Sequence, residues 1–269
     1  MTRVCVVLVL VISIGAMLQN IVDRLVYYPM PYPRGAWELQ HEAGAQGLWF
    51  RAADGTRLHA WWFPKANASF ATLFLHGNAG NVTHRIDHAQ QVLQAGSAFL
   101  VVDYRGYGKS QGHPSERGLY EDADAAYADL LALGYAPDQI ILQGESLGTA
   151  VAVNLAARKR CAALILESPL LSLGAMAGTV LPGLGPLLAH GFNTGSKISH
   201  VHAPLLVMHG DADEIVPFSQ GQAVFQKANQ PKQFWRVEGA HHNDLLYMAG
   251  FEYAARLRAF YQSIPRKAL

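Results

Sequence analysis

The sequence predicts an α/β fold, with a mostly parallel central sheet and helices on both of its faces. Three observations predict it. Short β-rich runs alternate with runs of helical pattern from about residue 70 onward; a hairpin signal opens the domain; and 269 residues suit one domain of this class. The hairpin is formed by residues 48–51 and 58–63, which flank Asp54-Gly55, a pair that favours tight reversal. Strands are then expected at 72–75, 98–102, 139–143, 162–166, 204–209 and 233–237. Helices are expected between and after them, at 83–94, 115–133, 147–158, 219–229 and 243–263. In such sheets ligands sit beyond the carboxyl ends of the strands, so functional motifs should fall directly after strand segments. Residues 170–198 stand apart as rich in Gly, Leu and Ala with almost no charge, and read either as a lid or as a buried, poorly patterned helix pair.

Composition narrows the function classes. Twenty-one basic residues against twenty acidic ones give a formal net charge of +1, too little to hold a polyanion, so nucleic acid is not an expected partner. Two cysteines supply neither a disulfide framework nor a thiolate metal cluster. At the N-terminus Arg3 precedes an apolar run from Val4 to Leu18. Extended to Val22, the run reaches spanning length; ending at Leu18, it suits a signal-peptide core or a buried helix. The poor small-x-small pattern at Ile14-Gly15-Ala16 favours an uncleaved anchor over residues 1–24. Arg3 then places the domain on the extracytoplasmic side of a membrane. A proline-punctuated linker at 25–46 leads to the domain proper, 47–269.

One motif carries chemistry. Ile140-Ile141-Leu142-Gln143 runs straight into Gly144-Glu145-Ser146-Leu147-Gly148, and a helical pattern follows. A serine at a tight strand-to-helix turn needs glycines two residues to either side, because side chains there would meet neighbouring backbone. The turn presents Oγ, and the helix N-terminus favours developing negative charge. Ser146 is therefore the candidate nucleophile. Its hydroxyl needs a base, and the base needs an acid to orient it. Acid candidates after later strands are Glu167, Asp211 and Asp213; base candidates after the last strand are His241 and His242. An oxyanion site needs two backbone N–H donors. Leu147, next to the nucleophile, is one candidate. The other is Asn78, in the His76-Gly77-Asn78-Ala79-Gly80-Asn81 loop, where His76 reads as a loop brace. Tyr104, Leu170 and Leu171 are candidate pocket residues, and Trp61 and Trp62 read equally as pocket or core. The phosphate-loop-like Gly106-Tyr107-Gly108-Lys109-Ser110 lacks its first glycine, and the pair His84 and His88 lacks a third ligand, so no cofactor or metal is implied.

With these runs in place the chain resembles the α/β-hydrolase superfamily. More narrowly it is similar to the N-terminally anchored group that includes the alpha/beta hydrolase domain-containing proteins of the thirteen and seventeen types. The resemblance rests on the His76 to Asn81 loop, Asp103-Tyr104-Arg105-Gly106-Tyr107-Gly108-Lys109-Ser110, Pro114-Ser115-Glu116, Gly144 to Gly148 and His242-Asn243-Asp244. It selects Asp213, through a His-Gly-x-x-Asp-x-x-Val-Pro pattern from His209 to Pro217, and His242, the histidine directly before Asn-Asp. Seventeen-type members remove palmitate from proteins. The resemblance thus implies hydrolysis of esters or thioesters, with a small acyl ester, a lipid-like molecule or an acylated protein as substrate, at a membrane. This chain departs from them in lacking a cysteine-rich N-terminus. A serine aminopeptidase and a non-catalytic membrane-anchored binding protein are the rival readings.

Overall fold

The structure, a computed structural model, describes residues 24–183, 185 and 189–265. The expected anchor falls on residues 1–24 and so lies almost wholly outside the described residues. Among these, no helix is long and apolar enough to cross a membrane.

The strands are β1 (Tyr28–Pro29), β2 (Gln46–Arg51), β3 (Arg57–Phe63), β4 (Phe70–Leu75), β5 (Ala79–Gly80), β6 (Ser97–Asp103), β7 (Ile140–Glu145), β8 (Ala163–Glu167), β9 (Leu205–Gly210) and β10 (Lys232–Val237). Eight of them form one sheet in the order β10-β9-β8-β7-β4-β6-β3-β2. The hairpin β2–β3 and the pair β3–β6 are antiparallel, and every other pairing in this sheet is parallel. The expected class is observed, with the strands running one or two residues beyond several expected ends.

Helices follow from local chemistry. They are α1 (Leu39–Glu42), α2 (Ile86–Ala95), α3 (Glu116–Ala132), α4 (Leu147–Ala156), α5 (Leu173–Val180), α6 (Thr194–Lys197), α7 (Phe218–Lys227), α8 (Leu245–Ala249) and α9 (Phe251–Ser263). Ser115 caps α3 by accepting the Gly118 N–H at 3.1 Å. α2 stops at Gly96, whose φ of +111° suits a residue without Cβ. The single helix expected over 243–263 is instead two, because Gly250 takes φ +51° and ψ −132° and turns the chain between α8 and α9.

Period-two alternation distributes each strand between two cores. Along β3, Leu58, Ala60 and Trp62 pack on one face with residues of α3 and α4, whereas Trp61 and Phe63 pack on the other with residues of α2 and α9. Both tryptophans are thus core residues, and full burial of a side chain such as Leu73 contributes about 2 kcal/mol.

The segment expected as a linker is part of the domain. Tyr28 and Pro29 pair in parallel with Ala79 and Gly80, the Tyr28 N–H donates to the Asn78 carbonyl at 2.9 Å, and Tyr27 is buried against Phe192. Two consecutive tyrosines before a proline read as punctuation in sequence because their partners lie far along the chain, at residues 78–79 for Tyr28 and at Phe192 for Tyr27. Within 170–198, α5 and α6 are short and separate, and α5 is half-exposed.

Candidate active site

The chemistry gathers at the carboxyl ends of β4, β7, β9 and β10. Ser146 follows β7 directly and takes φ +51° and ψ −118°, a strained geometry for a residue with a Cβ. Two close approaches impose it. A Cβ on Gly148 would run into the Leu75 and His76 carbonyls, and one on Gly144 into the backbone at Gly148 and Thr149. α4 begins at Leu147, so that N–H belongs to the first turn, where no intrahelical acceptor exists.

His242 stands between Ser146 and Asp213. Its Nδ1 is 2.8 Å from Asp213 Oδ2 and its Nε2 is 2.9 Å from Ser146 Oγ. A carboxylate only accepts, so Nδ1 carries the proton and Nε2 is free to receive one from the hydroxyl. Asp213 Oδ1 accepts the N–H groups of Ile215 at 3.0 Å and Val216 at 2.7 Å. Burial pushes the Asp213 carboxyl up, but hydrogen bonds from His209 and His242, the charge of His242 and the Val216 N–H together hold it well below the usual carboxylate range. The structure therefore brings together the three side chains expected from sequence. The rival residues are occupied elsewhere: His241 Nδ1 lies 3.0 Å from Glu214, Asp211 accepts the Gly239 N–H and pairs with Arg236, and Glu167 is buried with Gln143 and Tyr253.

The loop after β4 faces the same point. The Asn78 carbonyl accepts from Tyr28 N–H and, at 2.8 Å, from Tyr107 Oη, and its side-chain amide donates to the Val26 carbonyl at 2.9 Å. These bonds hold the residue at the wall of the cavity over Ser146. His76 braces the loop as expected, with Nδ1 donating to the Gly77 carbonyl at 2.7 Å. Tyr104 does not line the cavity: it is fully buried, its ring packs tilted against that of His76 with centroids 4.5 Å apart, and it donates from Oη to the His76 carbonyl. Sequence reasoning also missed Arg85 and Glu145. Their ion pair, at 3.2 Å, joins the residue before Ser146 to this loop, because Arg85 donates to the Ala79 carbonyl and Glu145 accepts the Gly77 N–H. No local spacing signals that pair, which spans sixty residues.

Burial, aided by the nearby Arg85 charge and opposed by the Gly77 carbonyl, lowers the His76 pKa to about 4. The unfolded chain takes up this proton near pH 6.5 and the folded chain only near 4, so folding loses stability as pH falls through that window, by up to about 3 kcal/mol. Urea midpoints are expected to drop between pH 7 and pH 4.5 in the wild type and to drop less in His76→Asn, whose amide keeps the bond to Gly77.

A cavity of about 1420 Å³ opens over Ser146 and His242. Leu170, Leu173, Met176, Ala177, Val180 and Leu181 line one part of it; His84, Arg85, Asp87, His88 and Gln91 line another. Leu170 is among the residues that line the cavity. Leu171 does not line the cavity: it packs against the Gly195 backbone, one position out of phase with Leu170. His88 lies 3.5 Å from Glu167, and His84 accepts the Asn81 N–H.

A serine on a strained strand-to-helix turn, hydrogen-bonded to a histidine at the carboxyl edge of a sheet in this order, defines an α/β-hydrolase. Residues 66–196 match the family described as serine aminopeptidase, S33. An uncharacterised protein of Mycobacterium tuberculosis is 38% identical over 226 residues, covering 82% of this chain and 80% of its own length. The human alpha/beta hydrolase domain-containing protein 17C is 38% identical over 239 residues, covering 84% and 69%. Among solved structures, an esterase of Pyrococcus furiosus has the same fold, with a TM-score of 0.71 at 20% identity over 89% of this chain and 98% of that one. The chain belongs to the α/β-hydrolase superfamily, in the group of the alpha/beta hydrolase domain-containing proteins of the seventeen type.

Proposed function

We propose that this hydrolase cleaves carboxylic esters or thioesters of apolar acyl groups through an acyl-enzyme on Ser146. The observation that carries the reading is the hydrogen-bonded line from Ser146 through His242 to Asp213 at the floor of a cavity with a largely apolar arm. In this reading His242 Nε2 takes the Ser146 proton as Oγ attacks the acyl carbon, and Asp213 stabilises the imidazolium. The N–H groups of Leu147 and Asn78 receive the oxyanion. The imidazolium then protonates the leaving alcohol or thiol, and water activated by the same nitrogen releases the acid and restores Ser146. The α5 side of the cavity receives the acyl chain. The run from Val4 to Leu18, together with exposed Leu25, Val180, Tyr247 and Phe251 at or beside the cavity mouth, supports a hydrolase held at a membrane on the extracytoplasmic side, with lipid-like or acylated-protein substrates.

A fluorophosphonate probe tests the nucleophile. Labelling of the wild type and none of Ser146→Ala is expected, and an unlabelled, folded wild type would sink the reading. Across p-nitrophenyl esters, kcat/KM is expected to rise from acetate to octanoate. Faster turnover of aminoacyl anilides than of any ester would favour the peptidase alternative.

A further inference from the structure

Asp213 has a second histidine. His209, the penultimate residue of β9, is fully buried, with Nε2 2.9 Å from the Val216 carbonyl and 3.2 Å from Asp213 Oδ2. Both neighbours are acceptors, so Nε2 must carry a proton, which it shares between them. Nδ1 is buried with no hydrogen-bond partner among the described residues, which makes it the bare nitrogen of the ring. The ring cannot turn to exchange them. The Phe218 ring lies edge-on to it at 5.5 Å, and Gly221 of α7 comes so close to Nδ1 that a Cβ there would overlap it.

We propose that His209 is a positioning residue for the hydrolytic acid, fixing Asp213 Oδ2 so that this oxygen serves two imidazoles at once. The proposal rests on the serine-hydrolase reading above. Each oxygen of Asp213 receives two donors, the Ile215 and Val216 N–H groups at Oδ1 and the His242 and His209 N–H groups at Oδ2. Rotation of the carboxylate breaks bonds at both ends, so its plane, and with it the tilt of the His242 ring towards Ser146, is fixed. Sharing Oδ2 also moderates its pull on the His242 Nδ1 proton. An apolar residue at 209 would fill the space and leave that function undone.

The test uses the full chain with His209→Leu, which removes the donor, and His209→Gln, whose Nε2 restores an N–H at the same reach. In His209→Leu, kcat for p-nitrophenyl butyrate is expected to fall about 10- to 100-fold, with KM changed less than about 3-fold. The downfield proton resonance of His242 Nδ1–H is expected to move further downfield. His209→Gln is expected to return kcat to within about 3-fold of the wild type and the resonance towards its original place. Equal losses in both variants, or an unmoved resonance, would mean that His209 only fills space and would overturn the proposal. Nitrogen-15 histidine spectra of the wild type decide the matter even if His209→Leu does not fold: a proton on Nε2 supports the proposal and a proton on Nδ1 defeats it. Wild-type protein that neither turns over esters nor labels at Ser146 defeats the hydrolase reading, and the spectra still report on His209 by themselves.

Discussion

Asp213→Asn is expected to lower kcat by about 10⁴-fold while the protein stays folded. The size follows from which way the new amide must face. Oδ1 accepts two backbone N–H groups, so the amide oxygen stays there and the NH2 takes the place of Oδ2. That group is a donor, and it meets the Nδ1–H of His242 head on. The imidazole responds by moving its proton to Nε2, the nitrogen that lies 2.9 Å from Ser146 Oγ, and in that form it no longer accepts the hydroxyl proton. Steady-state kinetics on a short p-nitrophenyl ester, with circular dichroism to establish folding, checks this; a loss under about 10-fold would show that Asp213 does not set the tautomer.

Gly148→Ala is expected to cost at least about 4 kcal/mol, or to leave no folded protein. The new Cβ would stand 2.6 Å from the His76 carbonyl oxygen and closer still to that of Leu75. Neither can give way cheaply, since Leu75 closes the strand that pairs with β7 and His76 opens the loop carrying Asn78. Gly55→Ala is the control. Gly55 also has positive φ, +86°, but nothing lies within 4 Å of the added carbon, so only backbone strain of about 1–2 kcal/mol is expected. Urea denaturation of the two variants separates crowding from strain.

The turn at Ser146 was legible in the sequence because the glycines it needs lie two residues to either side of the serine, although the backbone that Gly148 makes room for, at Leu75 and His76, lies more than seventy residues away. The alternation of strands and helices was legible for a related reason, since burial on two faces leaves a periodic record in the chain. His242 and Asp213 were read through resemblance, because two adjacent histidines and two nearby aspartates have similar local chemistry and only their partners in space tell them apart. Tyr104 shows the limit. An aromatic residue just after a strand fits a pocket wall or a core equally well, and its bond to the His76 carbonyl, twenty-eight residues back, leaves no mark in spacing. The same holds for β1, two residues long, and for Arg85 with Glu145, whose attraction has no periodicity. The break at Gly250 had a signal, a glycine inside an apparent helix, and the periodicity on either side concealed it.

β1 has a mechanical meaning. Its partner strand β5 begins at Ala79, next to Asn78, and Tyr28 is bonded to the Asn78 carbonyl itself. Tension arriving along the polypeptide from residue 27 is therefore borne first by the loop that faces Ser146, ahead of the large sheet behind it. A domain wired this way couples the chain ahead of β1 to the register of the loop that faces Ser146, so that a pull on that chain and the position of Asn78 share one short piece of backbone.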